Sequence, residues 1–403
     1  MDALHPLPHP SVLAHVVDAH CHPTDSPLSP AVLSGLPHRI CAMATRASDQ
    51  PLVRSLAEQF PDKVIPCFGY HPWFIHWISL APPNALPAKD VHYQTLLLPL
   101  SEPEHAPLLP AFHRLLPLLP DPVSLATIVE DLRTNLSAFP HAMLGEVGLD
   151  RAFRIPFERP AVPPYASSPA PSHPPGHSHD APEPRRELSP FTTPLAHQVA
   201  VLEAQLALAV VLRRNVSMHA VKAQQATLAL LARMRAAHGS AWTALSVDMH
   251  SCGLSALGWA EIERVHPNVF LSLSTAINAR SPAHVALLRA VHPARLLVES
   301  DFHDVAYSAA CTWDMLARAA TARGWWLEES GAEVEAGRML RAGHGDDGQA
   351  MAKAEEGWGA VRRIAENWRV FERGGHTVLP GVKKKRDKKK LLLDSSEEES
   401  GGE

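Results

Sequence analysis

Seven residues of two chemical types recur at the ends of apolar runs in this chain: His20, His22, His71, Glu146, His219, His250 and Asp301. Imidazole nitrogen and carboxylate oxygen suit divalent ions such as Zn²⁺ or Mn²⁺. A mixed set without paired cysteines argues against a structural four-cysteine zinc site. His20 and His22 stand two apart in Asp18-Ala19-His20-Cys21-His22. On a strand both would point to one face and could bind one ion together. Glu146, within Gly145-Glu146-Val147-Gly148-Leu149-Asp150, offers a carboxylate that could bridge two ions. Such a pair would clamp the attacking and leaving oxygens of a phosphoryl or acyl transfer. The chain holds 25 histidines, so single matches are expected and only their ordered recurrence carries weight.

The elements that must position these residues are eight apolar runs, 15–22, 38–45, 64–71, 142–150, 215–219, 244–250, 268–274 and 295–301. Most are near-continuous in Val, Ile, Leu, Met and Ala, the pattern of a parallel strand buried on both faces. Helical segments lie between several of them; 198–213 is rich in Ala and Leu and lacks Gly and Pro. Eight such units predict an α/β fold, a TIM-type (β/α)8 barrel. In that barrel every strand delivers its C-terminal residue to one face, so the polar strand ends converge.

These motifs together resemble the TatD family of metal-dependent deoxyribonucleases and related hydrolases. Asp18 to His22 is similar to its D-x-H-x-H, Gly69-Tyr70-His71-Pro72 to G-x-H-P, and Gly145 to Asp150 to G-E-x-G-L-D. Residues 198–209 look like the helix before Met218-His219. His250 falls in a shortened histidine motif, Glu299-Ser300-Asp301 resembles E-T-D, and Asn367 to Phe371 is similar to a closing N-x-x-x-F. The order holds over roughly residues 12–373. The resemblance implies two divalent metal ions (Mg, Mn or Zn), one held by His20, His22 and Asp301, the second by His219 and His250, with Glu146 shared. It implies catalytic roles for Glu146 and Asp301, Asp301 taking a proton from metal-activated water. His71 would face the substrate phosphate, and Asp18 would orient a ligand histidine. The resemblance implies a phosphodiester substrate, in DNA.

Two departures touch the substrate side. Where the family has an arginine two residues after its histidine, this chain has Val221, then Lys222, which we assign to substrate binding as a point charge instead of a bidentate fork. The sequence His250-Ser251-Cys252-Gly253 is also reduced. With the long insertions, these changes resemble a fungal branch of the family that interacts with a subunit of the anaphase-promoting complex. A second reading therefore stays open: a binding partner of a nuclear or cell-cycle assembly with weak or no catalysis. A third, a small-amide amidohydrolase, is opposed by Glu146 standing where many such enzymes carry a carbamylated lysine.

At 403 residues and 46% hydrophobic content, one barrel with insertions accounts for the chain. We expect the barrel over 1–373, interrupted at about 73–140 and 154–194. The first insertion has leucine-rich helix candidates at 96–98 and 115–119, as a cap over the barrel mouth or a surface elaboration. The second, dense in Pro and Ser with His173, His177 and His179, reads as a disordered loop. Five cysteines without C-x-x-C spacing fit a reducing compartment, Cys21 as core filler. Neither a leader nor an apolar run approaching the roughly 20 residues of a membrane span is evident. Residues 374–403 read as a disordered tail, basic at 383–390 and then acidic with Ser395 and Ser396 before the acids. That basic run resembles a nuclear import signal or a nucleic-acid patch, implying nucleus and cytoplasm. The net charge, 37 minus 42 or −5, makes any nucleic-acid contact local.

Overall fold

A computed structural model describes residues 4–98, 104, 106–159, 186–342 and 357–376. Strands β1 (Val17–Cys21), β2 (Arg39–Ala44) and β3 (Val64–Phe68) precede two short ones, β4 (Ile78–Ser79) and β5 (Val123–Ser124). β6 (Met143–Asp150), β7 (Val216–Val221), β8 (Val247–Met249), β9 (Val269–Ser274) and β10 (Leu296–Glu299) follow. Eight of them form one parallel sheet in the order β1-β2-β3-β6-β7-β8-β9-β10, one from each expected run. The sheet curls into a barrel: Asp301 N–H donates to His20 C=O and His22 N–H to Phe302 C=O, both at 2.9 Å, joining the ends of β1 and β10.

Alternation along the strands divides the apolar residues into two layers. Ile40, Ala42, Ala44, Val64 and Phe68 join the large core between sheet and helices. Val17, Ala19, Cys41, Met43, Ile65 and Cys67 gather inside with Trp368 and Phe371 from the closing helix, Ala360–Arg373. That helix plugs the bottom of the barrel and leaves only the C-terminal end for polar residues. All five cysteines are buried and free, Cys21 among them as core.

Two register shifts adjust this pattern. One lies between Asp18 and Cys21 of β1, the other between Leu144 and Val147 of β6. Such bulges re-aim side chains beside active sites, and here they bracket His20 and Glu146.

Helix Leu195–Leu212 is apolar and long enough to cross a membrane by composition, yet it packs against β6 and is half buried. Its two buried glutamines grip strand ends. Gln198 bonds both the N–H and C=O of Asp150 (2.8 and 2.8 Å), and Gln205 does the same for Tyr70 (2.9 and 3.2 Å).

The described parts of the insertions hold regular structure, and residues 160–185 of the second lie outside the described residues. Residues 73–140 hold helices Lys89–Leu97 and Leu109–Leu115, each covering part of one expected leucine run, and β4 pairs with β5, a contact not expected. Helix Leu125–Ala138 packs on β3 and on Leu195–Leu212 as part of the barrel wall. The second insertion is not loop throughout. Its stems pair antiparallel, with Ser189 N–H on Ile155 C=O (2.9 Å) and Phe157 N–H on Glu187 C=O (2.8 Å), because Ile155 and Phe191 bury there. His173, His177, His179 and the basic and acidic tail lie outside the described residues.

Candidate metal centre

Glu146 sits 4% exposed at the barrel mouth with five imidazoles around it, and its two oxygens divide them. On Oε2 are His20 Nε2 (3.5 Å) and His22 Nε2 (3.4 Å). On Oε1 are His250 Nε2 (2.7 Å), His219 Nδ1 (2.9 Å) and His71 Nε2 (3.2 Å). Asp301 completes the ring, its Oδ1 3.5 Å from His22 Nε2. The structure thus brings together seven of the eight residues read from the sequence.

The eighth, Lys222, is not on the mouth wall. It is exposed, its backbone is left-handed (φ 51°), and Val221 lines the wall in its place. The cations that do line the mouth are Arg46, just past β2, and Arg154, past β6. Asp18 meets His20 through the backbone, accepting its N–H at Oδ1 (3.3 Å). The β1 bulge turns its carboxylate to Ser300 N–H (2.8 Å), Ser300 Oγ (2.6 Å) and Ser308 Oγ (2.6 Å), so it locks the β1–β10 seam. The partner of the His20 ring is instead Ser217 Oγ on β7, 2.7 Å from Nδ1. Burial pushes the Asp18 carboxyl up to about 6.

Further supports come from residues that the sequence reading left without a role. Asp150 accepts Trp73 Nε1–H (2.6 Å) and lies 3.4 Å from His219 Nε2. Ser251, left-handed at φ 40°, donates through Oγ to Asp301 Oδ2 (2.6 Å). Beneath His250, Glu299 and Asp248 share Ser272 Oγ, and burial together with Glu299 lifts Asp248 to about 8. His71 accepts Trp73 N–H at Nδ1 (3.2 Å), which places its own proton on Nε2, aimed at Glu146.

The donor set fits divalent cations. His20 Nε2 and His22 Nε2 are 3.3 Å apart, as are His219 Nδ1 and His250 Nε2 at 3.2 Å, and two ring lone pairs this close repel unless a proton or cation lies between them. The groups His20, His22, Glu146 and His71, Glu146, His219 each converge tightly enough for one ion. Charge agrees. Burial opposes ionisation of Glu146, yet His71, His250 and His20 hold its carboxyl well below the usual range. Burial likewise opposes a charged His22, but Asp301 and Glu146 push it up to about 9. The cavity therefore attracts positive charge, and nitrogen with carboxylate oxygen suits Zn²⁺ or Mn²⁺. Burial lowers His71 to about 4 and lowers His20 as well.

The centre opens into a cavity of about 630 Å³ walled by Trp73, Phe74, Phe153 and Ile277. His22, Asp301 and His219 are its most exposed ligand candidates, at 16%, 11% and 12% of their side chains, so a substrate meets these first.

Residues 17–329 match the TatD related DNase family. The Cut9-interacting protein scn1 of Schizosaccharomyces pombe is 28% identical over 348 residues, 78% of this chain and 95% of its own. An uncharacterized deoxyribonuclease of Saccharomyces cerevisiae is 28% identical over 152 residues, 35% of this chain and 42% of that protein. The crystal structure of YJJV, a TatD homologue from Escherichia coli K12, covers 91% of this chain and 100% of its own, at 14% identity and a TM-score of 0.49. With more than half its length in the family match, this chain belongs to the TatD related DNase family.

Proposed function

We propose that the protein is a metal-dependent hydrolase that cleaves phosphodiester bonds, with DNA as substrate. The observation that carries the reading is the division of Glu146, one oxygen to the His20–His22 pair and the other to the His219–His250 pair. His20, His22 and Asp301 would hold one ion and His219 and His250 the second, with Glu146 between. Two such ions would supply charge against an in-line displacement at phosphorus and acidify the attacking water.

The chain's own residues do the rest. Asp301 is kept ionised by His22 and His250 against burial, and Ser251 fixes one of its oxygens, leaving it to accept the proton of the nucleophile. His71 carries its proton on Nε2, 3.2 Å from Glu146 Oε1, and would turn that N–H to a phosphate oxygen when substrate binds. Arg46 and Arg154 bring positive charge to the rim, a role the sequence reading gave to Lys222. Arg46 is steadied by Asp25 (2.8 Å) and Arg154 by the Ser189 carbonyl (2.6 Å).

The test pairs metal content with turnover. Purified protein should bind about two divalent ions per chain and cut single- or double-stranded DNA with Mg²⁺, Mn²⁺ or Zn²⁺. Glu146→Ala and Asp301→Ala should each lose ~100-fold or more in rate. Metal bound without turnover on either substrate would overturn the nuclease reading. That outcome favours the second reading, a binding role in a nuclear or cell-cycle assembly, which draws on the name of the relative called a Cut9-interacting protein. The basic run at 383–390 supports a nuclear as well as a cytoplasmic pool.

A further inference from the structure

The end of the barrel opposite the mouth carries a cleft of about 270 Å³, between the starts of β6 and β7 and the end of the closing helix. Three arginines line it. Arg213 caps helix Leu195–Leu212 in the left-handed region (φ 53°), Arg214 follows it, and Arg373 is the last residue of the closing helix. Cations suit helix C-termini on charge alone. Here they also lack a counter-charge among the described residues: Glu372, the carboxylate on the lining, is taken by Arg39 at 3.0 Å, and none of the three arginines has an ion pair. Arg214, partly buried, donates through Nη1 to the Pro140 carbonyl, and burial lowers its pKa with no anion to offset the lost water. Guanidinium forks left open in one small cleft suit a phosphate monoester, which accepts paired N–H bonds from each fork.

The described residues end beside this cleft. Gly375 lines it, and the N–H groups of Gly375 and His376 donate to Ala244 C=O and Thr243 C=O, both at 2.9 Å. Eighteen positions past His376 begins Asp394-Ser395-Ser396-Glu397-Glu398-Glu399, in which each serine stands three residues before a glutamate. That length of chain can span up to ~60 Å, so reach is no obstacle. Charge decides when the acidic run can dock. Between it and the barrel lies 383–390, whose seven Lys or Arg and one Asp give +6, against −4 from the four acids of 394–399. Unmodified, the acidic run is outweighed by its own neighbour. Two phosphates add about −3 to −4 at pH 7 and take it to about −7 to −8, more than the basic run can neutralise. The surplus has the three arginines as its counter-charge.

We infer that Ser395 and Ser396 are sites for an acidophilic kinase, and that the doubly phosphorylated run 394–399 docks on Arg213, Arg214 and Arg373 at the base of the barrel. Docking ties the basic run at both ends into a loop and withdraws it from anything that would bind it. Neither step involves the metal centre.

All five native cysteines are buried, so a dye on Gly402→Cys reports on the end of the full chain. Treatment with an acidophilic serine kinase and ATP should add two phosphates, mapped by mass spectrometry to Ser395 and Ser396; no phosphate there would overturn the modification. Anisotropy of the dye should then rise about twofold, as the end becomes tethered to the barrel. Both Arg213 and Arg373 are exposed, and asparagine tolerates a left-handed backbone. Arg213→Asn combined with Arg373→Gln should therefore keep the melting curve and lose at least half of the rise. Arg373→Lys keeps the charge at the helix end and loses the fork, so a smaller loss from it guards the result against a folding defect. No rise on phosphorylation would overturn the docking. A rise kept in full by the arginine variants would overturn it too, since the phosphates would then pair with the basic run alone.

Discussion

His20 is useful as a ligand only if its Nε2 lone pair faces Glu146, and the group that fixes this is the hydroxyl of Ser217 at Nδ1. Ser217 is fully buried on β7, 197 positions away in the chain. Removing it strands a buried ring nitrogen and frees the ring to turn. Ser217→Ala should therefore weaken metal binding by ~10–100-fold, the usual effect of losing a partner behind a ligand. Chelator competition would show it; an affinity equal to wild type would mean that the ring is held by other contacts. The ligand candidates themselves were legible because each ends an apolar run, where the periodicity of the strand places it at the mouth. Ser217 was not, since its importance comes from a residue across the barrel. Lys222 was misplaced by counting along the chain from His219, which ignores the left-handed turn at φ 51°. Arg46 follows a strand end as His71 and Asp301 do, and the same rule applied to cations would have found it.

At the scale of the element, the centre depends on β6 and β7 approaching closely. A Cβ at Gly148 would lie 2.0 Å from the His219 carbonyl oxygen, which is backbone and cannot swing aside. Gly148→Ala should push β7 away, destabilise the fold by about 1–3 kcal/mol and loosen the ion held at His219. Gly253→Ala, with nothing within 4 Å of its would-be Cβ, serves as the comparison and should leave both unchanged. Thermal melts and metal content check the pair; equal behaviour of the two variants would count against this account. A second element-level support is Glu328, which accepts the first N–H groups of the closing helix, Val361 (3.0 Å) and Arg362 (3.1 Å). Glu328→Ala should cost ~1 kcal/mol as a lost cap, read as a lower denaturant midpoint. All eight strands were legible, because continuous burial leaves a continuous apolar run. The bulges at His20 and Glu146 were not, since a register shift depends on the neighbouring strand. The paired stems at Ile155 and Phe191 were hidden by the polar composition between them.

At the scale of the whole molecule, the fold's response to acid follows from histidines far from the mouth. His38, at the start of the second strand, bonds Ser308 Oγ at 2.9 Å and is lowered to about 4 by burial and by Lys63. His76, in the first insertion, is lowered to about 3 by burial. In the unfolded chain both titrate near 6.5, so below that pH the unfolded state takes up protons that the folded state refuses. Their contribution is complete above pH 6.5 and is lost as pH falls through 4, at up to ~1.4 kcal/mol per group per pH unit. Within the ligand cluster His22 has the opposite sign. His22, raised to about 9 by Asp301 and Glu146 against its burial, contributes stability that is complete below pH 6.5 and lost as pH rises through 9. It therefore adds nothing to the acid slope, and a bound metal would suppress its titration altogether. Urea midpoints of the metal-loaded protein should be flat from pH 8 to 6.5 and fall steadily from there to pH 5. His38→Gln should show a shallower fall, because it removes one titrating group and keeps a polar side chain beside Ser308. Identical acid slopes for wild type and variant would show that His38 is not neutral in the folded protein, and would move the origin of the acid loss to the other buried histidines, His76, His266 and His376, or to the carboxylates.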